Sequence, residues 1–429
     1  TAFLSHHRNS NRITLSNYRL IFSISTSKFL TPGIQIILMT IEHEISERYF
    51  QLPSSEFAEI MRIAEEEKDV ISLGPGEPDF TTPKHIIEFA KKKLDEGYTH
   101  YSPPQGRKEV REAIAKKLKK ENKIDVDPDE IIITCGSQEA LLLATMSLVD
   151  PGEKVIVPNP GFLAYIPMVE TVTGVPVSLP LLEEEGFELN PDRVKELIDK
   201  RTRVIIINTP SNPTGRIIKK KTLEELADIV VEYNLVVFSD EAYEKFIYGN
   251  NKHVSIAGLN GMKDYVITFH SFSKTYAMPG WRVGYAAGPK DIIESMTRIH
   301  IYSSVCCPTI SQLAAMKALE GDQSCVEEMR KEYDRRRKLI VKRLNEIPHF
   351  KCLEPEGAFY AFPNIKELEM KSTEASRFLI EKAKVLTVPG SEFGKYGEGY
   401  LRLSYATSYE KIEEAMDRIE EAIRKSLKS

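Results

Sequence analysis

From Glu130 onward, short runs of Val and Ile alternate with stretches whose apolar residues recur every three or four positions. The runs Glu130–Thr134, Lys154–Val157, Val175–Leu179, Val204–Asn208, Leu235–Ser239, Tyr265–Phe269 and Arg282–Ala287 predict strands. They carry almost no polar alternation, as expected of strands covered on both faces. Ser137–Leu148 and Thr222–Tyr233 predict helices between them, so the pattern implies an α/β architecture with a mostly parallel sheet. Ahead of this region, Glu56–Lys68 predicts a helix with Phe57, Ile60, Met61 and Ala64 on one face. Val70–Leu73 follows as a strand stopped by Gly74-Pro75-Gly76. A helix is expected between Pro83 and Gly97, and another over Gly106–Asn122 with a lysine-rich solvent side. From about Asp322 the texture changes. A long charged helix to Asn345, strands over Ala358–Phe362 and Tyr400–Ala406, and helices over Thr373–Lys382 and Ser408–Leu427 predict a smaller α+β unit.

The 429 residues suit two domains, and 41% hydrophobic with 28% charged residues excludes a disordered chain or a rod. Fifty-eight basic and 63 acidic residues leave a net charge of −5, which argues against nucleic acid as the main partner. The apolar runs all fall short of the ~18 residues of a membrane helix, so no membrane partner is expected. Five cysteines without a C-x-x-C pair indicate a thiol-reduced, cytoplasmic setting. The nine histidines form no zinc-binding spacing, and no metal is expected. Residues 1–38 differ from the rest. Thr1–Thr40 holds Arg8, Arg12, Arg19 and Lys28 but no acidic residue, and the first Met is Met39. A transit peptide has such a composition. Thr31-Pro32-Gly33 interrupts any amphipathic helix there, so the segment reads instead as a non-native or disordered extension, dispensable for folding.

Four segments end predicted strands and carry polar residues where loops belong. Thr134-Cys135-Gly136-Ser137-Gln138 leads from a strand into a helix whose free N–H groups can hold an anion. Asn208-Thr209-Pro210-Ser211-Asn212-Pro213-Thr214-Gly215 is a rigid loop presenting Asn212. Ser239-Asp240-Glu241-Ala242-Tyr243 ends an apolar strand in carboxylates. It lacks the phosphate-binding glycine loop that a nucleotide hydrolase would need. Ser271-Phe272-Ser273-Lys274 places a lysine between a strand and Gly280-Trp281-Arg282-Val283-Gly284.

Taken together, and with Gly76-Glu77-Pro78-Asp79-Phe80, Tyr101 beside Pro104 and Gly106, and Arg402, these motifs resemble the class I aminotransferases. They follow the family's order and span residues 39–429. The resemblance implies fold type I of the enzymes that use pyridoxal 5′-phosphate (PLP), with a mostly parallel seven-stranded sheet plus a smaller α+β domain. Its expected division is an N-terminal segment 39–80 joining the small domain, a large domain 81–320 and a small domain 321–429. By the same resemblance Lys274 binds PLP covalently and moves the substrate α-proton, and Asp240 keeps the ring nitrogen protonated. Tyr243 and Asn212 donate to the ring's phenolic oxygen. Gly136, Ser137, Gln138, Ser271, Ser273 and Arg282 form the phosphate cup, where an arginine fork suits a phosphate. Phe162 stacks on the cofactor, although plain core packing is an alternative for it. Tyr101 reaches the phosphate of the neighbouring subunit, which implies a homodimer with shared sites. Arg402, alone in an apolar strand, pairs with the substrate α-carboxylate beside Gly76 and Asn212.

The implied reaction exchanges an amino group between an L-amino acid and a 2-oxo acid such as 2-oxoglutarate. Gln138 stands where aspartate-specific relatives have a lysine, so aromatic or other neutral donors are expected; Arg298 and His300, reaching in from the other subunit, are the cations that would instead serve a second carboxylate. Aspartate aminotransferase and a PLP-dependent carbon–sulfur lyase of the same fold are the alternatives. A transcription regulator carrying this domain would need a winged helix ahead of it, for which 38 residues are too few.

Overall fold

A computed structural model describes residues 18–23, 35–40, 46, 61–63, 65–66 and 69–427. By contact the chain divides into two units, Thr1–Gln51 and Leu52–Ser429. In the first, β1 (Tyr18–Ser23) pairs antiparallel with β2 (Gln35–Thr40). The reading of 1–38 as a non-native or disordered extension otherwise lies outside the described residues. So do Phe57, Ile60 and Ala64 of the first predicted helix.

In the second unit a seven-stranded sheet forms the centre. Its strands are β4 (Ile131–Thr134), β5 (Lys154–Asn159), β6 (Val175–Pro180), β7 (Thr202–Asn208), β8 (Val236–Asp240), β9 (Val266–Ser271) and β10 (Gly284–Ala287), in the spatial order β4-β10-β9-β8-β7-β5-β6. The α/β class with a mostly parallel seven-stranded sheet is thus borne out. Alternate residues enter two different cores: Ile131, Ile133, Ile205 and Ile207 one, Ile132, Val204 and Ile206 the other. That division explains why the strand sequences are unbroken Val and Ile.

One strand departs from parallel. β10 runs antiparallel to both β9 and β4, with Gly284 opposite Ser271 and Thr134. The path from β9 to β10 holds only a single-turn helix, α7 (Phe272–Thr275), and a 3₁₀ turn over Pro279–Trp281. It lacks the longer helix on which a parallel crossover is usually built. The consequence is positional. The start of β10, with Arg282 just before it, meets the carboxyl ends of β4, β7, β8 and β9 at one edge of the sheet, where ligands of such sheets bind.

Helices α1 (Lys84–Asp95), α2 (Lys108–Lys117), α3 (Ser137–Leu148), α4 (Tyr165–Thr171), α5 (Pro191–Leu197), α6 (Lys220–Tyr233), α8 (Lys290–Ser303) and α9 (Thr309–Glu320) accompany this sheet. The predicted helix 106–122 is shorter. It leaves α-geometry after Lys117 for one wider turn, closed by Lys123 at a left-handed φ of 63°. α9 escapes the periodicity because Leu313, Ala314, Ala315 and Ala318 are buried together with Ser311 and Gln312, leaving no clean polar face.

Toward the C-terminus come α10 (Ser324–Glu346), α11 (Ser372–Ala383) and α12 (Tyr409–Ser426). Beside them lies a three-stranded antiparallel sheet of β11 (Tyr360–Ala361), β14 (Leu401–Ser404) and β13 (Val388–Pro389). The predicted strands 358–362 and 400–406 shrink to these cores. A parallel pair, β3 (Ile71–Ser72) with β12 (Val385–Leu386), ties residues near 71 to this region. No helix among the described residues is long and apolar enough to cross a membrane.

The turn between β13 and β14 sets the place of Arg402. A Cβ on Gly390 would lie 1.9 Å from the Gly397 carbonyl oxygen and 2.6 Å from that of Tyr400. Only backbone faces it there, so neither neighbour can rotate away. Gly390→Ala is expected to cost at least about 1–3 kcal/mol of stability, read as a lower urea midpoint. Gly280→Ala, with open space around it and no left-handed φ, should change stability by about 1 kcal/mol or less. Equal losses in the two variants would show that the close approach is not limiting.

Candidate functional site

At the carboxyl edge of the seven-stranded sheet lies a cavity of about 320 Å³. Gly76, Gly136, Ser137, Gln138, Phe162, Asn212, Asp240, Tyr243, Ser271, Ser273, Lys274, Arg282 and Arg402 all line it. The structure therefore brings together every residue expected to hold the cofactor or the substrate α-carboxylate but one. Tyr101 stands outside, 84% exposed on the surface. Arg298 and His300 do not line the cavity of their own chain either.

One wall is a cradle of backbone. Gly136 caps α3 at φ 88° and offers no side chain to its free N–H groups. A Cβ on Gly284 would meet Ser137 N at 2.5 Å and Gly136 C at 2.7 Å, so β10 lies hard against the start of this helix. Arg282, at a left-handed φ of 50°, donates from Nη1 to the Pro279 carbonyl at 3.1 Å and from Nη2 to the Cys135 carbonyl at 3.2 Å. Helix N–H groups, two serine hydroxyls and a guanidinium held in place make a site for a doubly charged anion.

The floor holds a buried carboxylate. Asp240 ends β8, with Asn208 and Phe269 as its register neighbours. Burial pushes its pKa up. The Tyr165 hydroxyl, donating to Oδ2 at 2.7 Å, and the Ala242 N–H, donating to Oδ1 at 3.2 Å, oppose that shift. A carboxylate desolvated to this degree gains from a cation placed against it. Beneath it, Glu241 accepts from Ser255 and His253, and Glu244 from Lys117 and Asn122, so the neighbouring buried carboxylates already have partners.

Lys274 is the last-but-one residue of α7, and its amine donates to the Gly76 carbonyl. Burial, reinforced by Arg402, lowers its pKa to about 8. The amine is therefore neutral far more often than a solvent-exposed lysine's at neutral pH, the state a nucleophile needs.

Arg402 projects from β14 toward the same space. It donates from Nη1 to Asn212 Oδ1 at 3.0 Å and from Nη2 to the Gly74 carbonyl at 2.6 Å, while its buried Nε has no hydrogen-bond partner. Its guanidinium lies 4.5 Å from the Tyr360 ring centre and 4.9 Å from that of Phe393. None of these partners is charged, so the cation waits for an anion from outside the chain. Asn212 is positioned in turn by its N–H to Asn208 Oδ1 at 2.7 Å, and Asn208 Nδ2 reaches the Asp240 carbonyl at 2.9 Å. The strand ends and the loop thus form one hydrogen-bonded unit.

Sequence reasoning missed Tyr165 and Tyr360. Tyr165 lies one turn beyond Phe162, whose ring meets it edge-on at 5.5 Å. Tyr360 shares a 2.6 Å hydroxyl contact with Tyr243 and follows the predicted strand signal Ala358-Phe359. Only the partner residue distinguishes either from a core tyrosine.

The residues fit PLP: a buried, low-pKa amine, an anion cradle and a buried carboxylate line one cavity. A family model described as aminotransferase class I and II matches residues 68–419. The chain is 52% identical to an aspartate aminotransferase of Pyrococcus abyssi, over 89% of this chain and 98% of that one. It is 48% identical to an aromatic-amino-acid aminotransferase 2 of Thermococcus litoralis, over 89% and 98%. The crystal structure of an aromatic aminotransferase from Pyrococcus horikoshii superposes with a TM-score of 0.82 at 50% identity, covering 86% of this chain and 99% of that one.

The state of Lys274 can be read directly. PLP capture by the apoprotein should speed up with pH and level off above about pH 8, followed by absorbance after mixing. Lys274→Ala should show no covalent capture at any pH. A rate still climbing toward the pKa of ordinary lysine, near 10.4, would contradict a desolvated amine.

Proposed function

The chain belongs to the class I and II aminotransferases, and on that premise we propose that it uses PLP held on Lys274 and prefers aromatic or other neutral amino donors. It transfers an amino group between an amino acid and a 2-oxo acid. PLP, when bound, supplies an electron sink for the pair left as the substrate's α-proton departs. The chain's own residues do the rest. Lys274 Nζ takes the α-proton and returns it at the cofactor's carbon, a role that needs a neutral amine at working pH. Asp240 holds the proton on the ring nitrogen, and the Tyr165 hydroxyl keeps that carboxylate ionised. Tyr243 and the Nδ2 of Asn212 serve the phenolic oxygen. The Gly136–Gln138 turn, Ser271, Ser273 and Arg282 take the phosphate, and Phe162 covers the ring. Arg402 takes the α-carboxylate, for which its unpartnered Nε is in reserve.

The observation that carries the donor preference is the cationic inventory of the cavity. Its lining cations are Lys274, Arg282 and Arg402, each already committed, and Gln138 is neutral. Against this chain's cations alone, a second substrate carboxylate would be desolvated without a charge to meet it, at a cost of several kcal/mol, and a 2-oxoglutarate acceptor bears the same cost. An aromatic side chain instead gains by burial against Leu141, Phe162 and Leu163. The aspartate reading draws its support from relatives of that name.

Single-turnover rates for Phe, Ala, Glu and Asp on one preparation test this. Phe is expected to react fastest, and Asp faster than Phe would establish the aspartate reading instead. Asp240→Asn should lower kcat by orders of magnitude with the fold retained, while Asp240→Glu keeps more; near-native turnover in Asp240→Asn would make the carboxylate structural. The exposed Tyr101 suits a residue that reaches a second copy. Sedimentation should accordingly show a homodimer, and a fully active monomer would refute shared sites.

A further inference from the structure

Behind the anion cradle, a second group of side chains converges. Cys135 ends the turn after β4, Glu139 follows one helical turn later in α3, and His300 comes from the last turn of α8. The thiol sulfur, a carboxylate oxygen and an imidazole nitrogen lie within 4.8 Å of one another. Residues 135 and 300 are remote in sequence, which is why no ligand spacing announces the group.

Two features distinguish it from an ordinary ion pair. The first is the imidazole. His300 has a fully buried side chain, and its Nδ1 lies 2.9 Å from the Pro104 carbonyl. A carbonyl only accepts, so Nδ1 carries the proton. Nε2 then points at the group, 3.3 Å from Glu139 Oε2 and against the Cys135 thiol. A histidine whose outer nitrogen is pinned on a backbone carbonyl, with the inner one turned to a thiol and a carboxylate, has the arrangement of a metal ligand. The second is the carboxylate. Glu139 Oε1 is held by the Ser304 hydroxyl and Oε2 by the Cys135 backbone N–H at 2.6 Å, so its orientation is fixed by one bond from outside the group and one from the backbone of the turn.

We propose that Cys135, Glu139 and His300 bind a divalent zinc ion. One thiolate, one imidazole and one carboxylate with a water in the fourth place is a set zinc accepts, at bond lengths of about 2.0–2.3 Å. Those lengths put tetrahedral donors roughly 3.3–3.8 Å apart, so donors now within 4.8 Å of one another need to close by no more than about 1.5 Å. On binding, the Cys135 thiol gives up its proton to solvent and Nε2 offers its lone pair. Cys135 and Glu139 are half-buried, so the ion has a route in from solvent. The site is distinct from the cofactor's, but Cys135 adjoins Gly136 and its carbonyl receives Arg282. An ion there would clamp the phosphate turn to α8.

A second trio, Glu241, Glu244 and His253, also has donors within 4.8 Å. It carries no such proposal because the Lys117 ammonium already meets Glu244, so a metal cation would face a cation there, and His253 Nε2 is already bonded to Glu241. It serves as the control.

The test uses the chelator-treated PLP holoprotein and zinc chloride alone. Calorimetry and metal analysis after gel filtration should give one zinc per chain. Cobalt(II) in its place should give tetrahedral thiolate bands at the red end of the spectrum, clear of the cofactor. Cys135→Ser should abolish both signals while keeping the cofactor spectrum. Ser304→Ala, which touches only the outer hydrogen bond, should weaken zinc binding roughly tenfold, and His253→Gln should leave it unchanged. Absence of stoichiometric zinc, or zinc retained in full by Cys135→Ser, overturns the proposal. Loss in His253→Gln with retention in Cys135→Ser would move the ion to the other trio and overturn it equally.

Discussion

A carboxylate buried at the end of an all-apolar strand is the constraint that organises this protein. Asp240 is desolvated by its position in β8, and the chain supplies it with a hydroxyl and one N–H but no cation in direct contact. The arrangement is costly unless a positive group arrives from outside. Arg402 shows the same logic with the opposite sign. It is a buried guanidinium whose partners are two neutral oxygens and two aromatic faces. Lys274 lies between them, its proton made expendable by burial and by that arginine. The three groups leave a space that wants a cationic ring nitrogen at one end and a carboxylate at the other.

Rigidity is what lets such a site persist. The loop that presents Asn212 is bonded to Asn208, which is bonded to the Asp240 backbone, and Asn212 itself orients Arg402. A displacement of any strand end is therefore felt at Arg402. Gly284 contributes differently: its missing side chain lets β10 touch the start of α3, which brings Arg282 and the free helix N–H groups to the same anion. The antiparallel direction of β10 is essential here, since a parallel strand would put Arg282 at the opposite edge of the sheet.

The same turn faces two ways. Gly136 and Ser137 line the cavity, while Cys135 and Glu139 meet His300 on the other side. An event at either face is transmitted through a few backbone atoms, and Arg282, bonded to the Cys135 carbonyl, spans both.

The sequence by itself determined the alternation of Val/Ile strands with helices, and with it a sheet covered on both faces, because burial on two sides leaves an unbroken apolar signature. It also located the polar segments at strand ends, since a carboxylate in Ser239-Asp240-Glu241 or an arginine in Leu401-Arg402-Leu403 has no place in a core without a partner. Most residues so marked do line one cavity. The tertiary structure alone decided who the partners are. Tyr165 and Asp240 are 75 residues apart and Arg402 and Gly74 are 328 apart, and no local periodicity encodes such contacts. It likewise decided the direction of β10, which follows from the lack of a long crossover helix after β9, and the surroundings of His300. Sequence offered that residue as a cation for the substrate of the neighbouring subunit. Within its own chain, packing buries it against Cys135 and Glu139, because side-chain direction depends on which neighbours a helix buries against rather than on the residue's own charge.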